Sequence, residues 1–224
     1  MINDLSYPVD AILLLGPTGA GKSPLGDCLS ISGFLGRRSH HLDFGHALRT
    51  AASDVASSSY TPDELHVIRG VLEHGLLLEN EHFPLARKII ANALDRLGFN
   101  SRDLLILNGI PRHVGQARDI ASIATIHALV VLDCSSDEVY CRLRENIGGD
   151  RAVRQDDGEE LVQKKLALYH ERTRPLIEHF ERARRKVYHL SVNERTSAYE
   201  SYLLLSSLAA SDPPVSLVTE PPQR

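Results

Sequence analysis

The residues best suited to chemistry lie in one glycine-rich stretch, "GPTGAGKS", at positions 16–23. It fits the pattern G-x-x-x-x-G-K-[ST], with Gly16, Gly21, Lys22 and Ser23 at the defining positions. Glycines let the backbone curl so that successive N–H groups point at one anion, at the positive end of the following helix. The lysine can reach the outer phosphates of a nucleotide, and the serine hydroxyl can ligate Mg²⁺. We expect ATP to contact the whole loop: Gly16, Pro17, Thr18, Gly19, Ala20, Gly21, Lys22, Ser23 and Pro24.

The surroundings of this loop favour a P-loop over an ordinary glycine-rich turn. The apolar run 11–15 precedes it and a predicted helix follows, in whose first turn Pro24 is tolerated. Further short apolar runs, bounded by polar segments, are typical of strands buried on both faces. They lie at 40–44, 104–108, 128–133 and 187–192. Helical patterns separate these runs, which predicts an α/β fold with a doubly wound, five-stranded parallel sheet flanked by helices.

Residues 50–97 break the alternation, because they contain helical patterns and no strong strand. We therefore expect a helical insertion at 50–97 in a P-loop core formed by 1–49 and 98–211. A long charged helical pattern begins near position 156, and Pro175 is expected to kink or divide it. The proline-rich end, 212–224, is predicted to be a disordered tail.

Composition excludes several classes of protein. A net charge of −4 argues against nucleic-acid binding through bulk basicity. The three cysteines have no metal-like spacing, and His40 and His41 have no metal-like partners at suitable spacing. The sequence shows neither a secretory signal nor an apolar run long enough to span a membrane. We expect a cytoplasmic protein with no nucleic-acid or membrane partner.

Three more stretches follow the loop in order: "DFGHALR" (43–49), "LNGIPRHVGQA" (107–117) and "GGDRAVRQDD" (148–157). With these stretches and the P-loop, the chain from about position 11 to 192 resembles the nucleoside monophosphate kinases (the adenylate kinase and UMP/CMP kinase family). This resemblance implies Mg²⁺-dependent, direct in-line phosphoryl transfer from ATP to a nucleoside monophosphate (NMP), with AMP the first expected acceptor. It also implies that 50–97 binds the NMP, that a short lid lies at about 144–156, that no zinc is bound, and that the protein is a monomer.

The resemblance assigns roles to individual residues. The expected NMP-binding residues are Phe44, Gly45, Arg49, Leu78, Gly109, Arg112 and Gln116. The expected catalytic residues are Lys22, Arg112, Arg151, Arg154 and Lys165. Arg142 or Arg144 would lie against the donor base. Magnesium would be held by Ser23 and, through a water, by Asn108. Arginines suit such a site because two polyanions must be brought together, and a guanidinium binds phosphate bidentately.

The sequence departs from the family pattern at three of these positions. Asn108 stands where the family usually has aspartate, Lys165 where it has arginine, and Phe44 where AMP-specific members often have threonine. A CMP or UMP kinase therefore stays open, as does a catalytically weak nucleotide sensor of the same fold. The loop is also similar to that of tRNA prenyltransferases, but those enzymes lack the Gly-x-Pro-Arg-x-x-x-Gln pattern found at 109–116.

Overall fold

The protein is described from a computed structural model over residues 8–53, 59–100, 102–149, 158–214 and 217. Five parallel strands form one sheet in the order β2-β3-β1-β4-β5. They are β1 (Val9–Leu15), β2 (Ser39–Asp43), β3 (Leu104–Asn108), β4 (Ala124–Asp133) and β5 (Lys186–Ser191). The predicted fold class is confirmed, and each predicted apolar run overlaps one strand. Phe44 belongs to the helix after β2 and not to the strand.

Nine α-helices connect and flank the strands in the described part of the chain. They are α1 (Lys22–Ser32), α2 (Phe44–Ser53), α3 (Pro62–His74), α4 (Phe83–Arg96), α5 (Val114–Ile120), α6 (Ser136–Glu145), α7 (Glu159–Leu168), α8 (Leu176–Arg182) and α9 (Ala198–Ser211). A 3-10 turn (Asn80–His82) precedes α4, and a π-helical turn (Tyr169–Thr173) follows α7. Pro175 divides the charged helical pattern, as predicted, because it lies at the N-cap of α8.

The sheet is buried on both faces, which explains why its strands read as continuous apolar runs. On β1, Leu13 and Leu15 pack into a cluster with residues of α4, α5 and α8. Ile12 and Leu14, which point the other way, pack into a second cluster with residues of α1 and α9. Because all five strands are parallel, their carboxyl ends lie at one edge of the sheet, where folds of this kind bind their ligands.

The segment from 59 to 97 contains α3, the 3-10 turn and α4, and no strand. Several of its apolar side chains, among them Ile68 and Ile89, belong to the same core cluster as Leu13 and Leu15 of β1. At the other end of the chain, Pro214 and Leu217 are buried, and Leu217 packs with residues of β5 and α9. Residues 218–224 of the predicted tail lie outside the described residues.

Over the described residues, the helices are too short or too polar for any of them to cross a membrane.

Candidate functional site

One cleft at the carboxyl edge of the sheet brings together most of the residues singled out in the sequence. Its lining includes Gly16, Thr18, Gly19, Gly21, Lys22, Ser23, Pro24, Phe44, Gly45, Arg49, Leu78, Asn108, Gly109, Arg112, Gln116, Arg142 and Lys165. Pro17 and Ala20 are buried and do not line it. Arg151 and Arg154 lie outside the described residues, as does most of the expected lid.

The P-loop leads directly from β1 into α1. Gly21 has a left-handed backbone (φ 97°) at the N-cap of α1, a conformation that favours glycine. The Lys22 ammonium group donates to the carbonyl oxygens of Gly16 at 2.8 Å and Pro17 at 2.6 Å. Lys22 is therefore folded over its own loop, within reach of any anion that the loop amides bind.

Arg112 follows β3 and lies in the cleft as a partly buried cation. Burial lowers the pKa of Arg112 to about 10, which still leaves the guanidinium charged at neutral pH. Among the described residues, no carboxylate forms an ion pair with it. A desolvated cation without a counter-charge is stabilised by an anionic ligand, so this position suits a phosphate.

The backbone around Arg112 is fixed by side chains from two other elements. Its N–H donates to Gln116 Oε1 at 2.8 Å, and its carbonyl accepts from Thr173 Oγ1 at 2.9 Å. The π-helical turn after α7 brings Thr173 and Tyr169 to the cleft, and sequence analysis missed both. Tyr169 keeps helical spacing with Val162 and Leu166, which places it on the buried face but does not show that it reaches the cleft. Helical spacing alone could not place Thr173, because the π-helical turn shifts the register at its end.

Gln116 is held in place by the insertion. Its Nε2 donates to the carbonyl of Leu78 at 2.7 Å, and the same carbonyl accepts from His113 Nε2 at 3.2 Å. His113 was also missed by sequence analysis; it caps α5 by accepting from the Gln116 N–H at 3.3 Å. The buried amide of Gln116 therefore lies beside Leu78, and both residues line the cleft.

Arg49 also lines the cleft. Its Nη1 is 3.5 Å from the position that a Cβ on Gly45 would occupy, so the guanidinium lies in van der Waals reach of the Gly45 backbone. Both residues belong to α2, which begins directly after β2.

Two further contacts join the insertion to the helices after the expected lid. Arg172 donates to both carboxylate oxygens of Glu79, at 3.0 and 3.2 Å, and this hydrogen bonding lowers the pKa of Glu79. Lys164 Nζ donates to the carbonyl of His74 at 2.7 Å. These contacts hold the segment from His74 to Glu79 against α7 and the π-helical turn.

Arg142 and Arg144 differ sharply in their surroundings. Arg142 is buried and donates to three carbonyl oxygens: Gly19 at 3.0 Å, Asn193 at 2.7 Å and Thr196 at 2.8 Å. It thereby joins the P-loop to the segment between β5 and α9. Arg144 is exposed near Glu145 and does not line the cleft. Of the two candidates for the donor-base position, the structure places only Arg142 at the cleft.

The side-chain oxygen atoms at the P-loop serine suit a magnesium ion. Ser23 Oγ donates to Asp43 Oδ2 at 2.5 Å, and Asn108 Nδ2 donates to Ser23 Oγ at 3.1 Å. The hydroxyl and the carboxylate offer the hard oxygen ligands that Mg²⁺ prefers, and the Asn108 amide donates a hydrogen bond beside them. The described residues hold no group of three or more His, Cys, Asp or Glu side chains suited to a metal. Asp43 was given no role from the sequence, although its place at the carboxyl end of β2 was a usable signal.

Comparisons with known proteins give relatives of one kind. The chain is 30% identical over 195 residues to an adenylate kinase of Natronomonas pharaonis, with 76% of this chain and 84% of that one covered. It is also 30% identical over 182 residues to an adenylate kinase of Parvibaculum lavamentivorans, covering 76% of this chain and 78% of that one. No protein-family model matches the chain.

Solved structures support the fold. The crystal structure of TT1252 from Thermus thermophilus matches with a TM-score of 0.52 at 16% identity, covering 96% of this chain and all of that one. A sugar kinase from Janibacter sp. HTCC2649 matches with a TM-score of 0.50 at 13% identity, covering 95% of this chain and all of that one.

Proposed function

Because the chain belongs to the adenylate kinase family and is a nucleoside monophosphate kinase, we propose that it transfers the γ-phosphoryl group of ATP to AMP. The donor triphosphate binds the amides of the P-loop and Lys22, which exchanges its bonds to Gly16 and Pro17 for bonds to phosphate oxygens. Ser23, with the polar side chains beside it, holds the magnesium ion of the donor. When bound, that ion neutralises part of the phosphate charge.

The acceptor monophosphate binds across the cleft, with its phosphate between Arg49 and Arg112. The Gln116 amide and the wall around Leu78 and Phe44 receive its base. Arg112 supports this role most directly, since its partly buried charge meets no carboxylate among the described residues. The family resemblance implies that Arg151 and Arg154, which lie outside the described residues, would act with Lys165 on the transferred group.

Transfer is direct and in line, so the protein supplies positioning and electrostatic stabilisation and no nucleophile. The two substrates repel one another, and the lysine and arginines offset that repulsion and the charge that develops on the phosphoryl group. Transfer also requires that water be kept from the reacting groups, since water would otherwise accept the phosphoryl group in place of the monophosphate.

CMP or UMP is the second candidate acceptor. Phe44 lies in the lining of the acceptor end, where AMP-specific relatives often carry threonine, and a bulky ring there favours a smaller base. A coupled assay with ATP and each of AMP, CMP, UMP and GMP separates the candidates. Binding of ATP without transfer to any of the four would instead support a nucleotide sensor.

The role of Arg112 gives the test of the proposed site. We expect Arg112→Ala to lower kcat/KM for the acceptor about 10³-fold while leaving the Kd for ATP unchanged, since arginines on transferred phosphoryl groups contribute factors of this order. Arg118→Ala is the matched control, because Arg118 is exposed on the neighbouring α5. Turnover by Arg112→Ala equal to that of the control would contradict the acceptor role.

A further inference from the structure

The carboxylate beside the P-loop serine lies on a different strand from the one that the family resemblance implies. The family resemblance places an aspartate at the end of β3, but this chain has Asn108 there. The described structure puts a carboxylate against Ser23 all the same, from Asp43 at the end of β2. The two strands are neighbours, and their register pairs Asp43 with Asn108. The carboxylate of Asp43 and the amide of Asn108 therefore lie on adjacent strands at the same level of the sheet.

We propose that Asp43, and not Asn108, supplies the charge that positions the magnesium ion of the donor nucleotide. Asp43 Oδ2 accepts the Ser23 hydroxyl proton, which leaves a lone pair of Ser23 Oγ for the metal. P-loop nucleotide hydrolases place a serine or threonine and an aspartate at their magnesium in the same combination. The inference rests on the proposed function, since it requires a magnesium–nucleotide donor.

The orientation of Asn108 supports this division of roles. His41 Nδ1 lies 2.8 Å from Asp27 Oδ1, so this nitrogen carries the proton and donates to the carboxylate. His41 Nε2 is then an acceptor, and it faces Asn108 Nδ2 at 3.2 Å. The same Nδ2 faces Ser23 Oγ at 3.1 Å and Asp43 Oδ2 at 3.4 Å. Three acceptors surround a single donor group.

A carboxylate at position 108 would meet those acceptors with no proton to offer. It would also lie close to Asp43, where two like charges repel one another. Asn108 is buried, so water could not relieve that repulsion. The site is therefore built for one carboxylate on β2 and one amide on β3.

Asp43 has a second function that the experiment must separate from the first. Its Oδ1 accepts from the His46 N–H at 2.9 Å and so caps the start of α2. Asparagine caps helices about as well as aspartate. The variant Asp43→Asn therefore keeps a cap and removes only the charge.

The test measures the binding of Mn²⁺, a spectroscopic substitute for Mg²⁺, to the complex of the full chain with a non-hydrolysable ATP analogue. Free Mn²⁺ is followed by electron paramagnetic resonance. We expect Asp43→Asn to weaken Mn²⁺ binding about 10- to 100-fold, the range seen when groups supporting metal ligands are changed. Asp95→Asn, with the same charge change at an exposed position of α4, should bind Mn²⁺ like the unaltered protein.

A charge exchange tests whether the position of the carboxylate matters. The double variant Asp43→Asn with Asn108→Asp carries its one carboxylate on β3, where it faces the acceptor nitrogen of His41, and should bind Mn²⁺ as weakly as the single variant. Undiminished Mn²⁺ binding by Asp43→Asn would overturn the proposal, as would a double variant that binds Mn²⁺ like the unaltered protein. The Mn²⁺ measurement contains no nucleoside monophosphate, so it does not depend on phosphoryl transfer. A coupled assay that showed no transfer would refute the proposed function and leave the Mn²⁺ result unchanged.

Discussion

At the scale of single residues, Gly26 matters to the site although it does not line it. A Cβ on Gly26 would lie 2.4 Å from His41 Cδ2 and 2.5 Å from His41 Nε2. The His41 side chain is only 6% exposed and is fixed by Asp27, so the ring has little room to move. Glycine in α1 thus creates the space for the histidine that orients Asn108.

We predict that Gly26→Ala destabilises the protein by about 1–3 kcal/mol, the usual cost of forcing extra volume into a packed site. Urea denaturation measures the free energy of unfolding. Gly70→Ala is the matched control, since Gly70 lies in α3 with nothing within 4 Å of an added Cβ. That control should gain roughly 0.5–1 kcal/mol from helix propensity. Equal effects in the two variants would show that His41 is not confined as described.

At the scale of elements, Glu64 joins α3 to α4. Thr61 Oγ1 accepts from the Glu64 N–H at 3.2 Å, and Glu64 Oε2 accepts from the Thr61 N–H at 2.7 Å, which forms a capping box. Lys88 on α4 donates to both carboxylate oxygens, at 3.0 and 2.7 Å. The hydrogen bond from Lys88, followed by the capping bonds, lowers the pKa of Glu64 against the opposing effect of burial.

This lowered pKa predicts a pH-dependent contribution to stability. A carboxyl group whose pKa falls on folding stabilises the protein above its unfolded pKa of about 4.3, and the effect is lost as pH falls through the folded value. We expect Glu64→Gln to lose about 1 kcal/mol at pH 7, because glutamine keeps the cap and loses the ion pair. The difference from the unaltered protein should shrink toward zero as pH falls below about 4.

Urea denaturation between pH 7 and 3.5 measures this difference. Glu73→Gln, at an exposed position of α3, should change the stability by less than about 0.5 kcal/mol at every pH. A Glu64→Gln deficit that stayed constant with pH would show that the contact with Lys88 is not electrostatic.

At the scale of the whole molecule, the features that could be predicted are those that depend on residues close together in the sequence. The P-loop, the five strands and the helices of 59–97 follow from local patterns of glycine, apolar runs and helical spacing. Contacts between distant elements could not be predicted in the same way. Asp43 lies 20 residues from Ser23, and only the packing of β2 beside β3 and α1 shows that their side chains meet. His113 and Thr173 likewise gain their roles from tertiary contacts.

The central claim is that one cleft holds two phosphate esters head to head, with Lys22 on the donor side and Arg49 and Arg112 on the acceptor side. A two-headed analogue, with two adenosines joined by a polyphosphate chain, tests it by calorimetric titration against ATP and AMP alone. Linking two ligands that bind one cleft raises affinity by about 10²- to 10⁴-fold. The account predicts one analogue per chain, bound at least about 10²-fold more tightly than either nucleotide. An analogue that binds no more tightly than ATP, with AMP unable to compete for its second head, would contradict it.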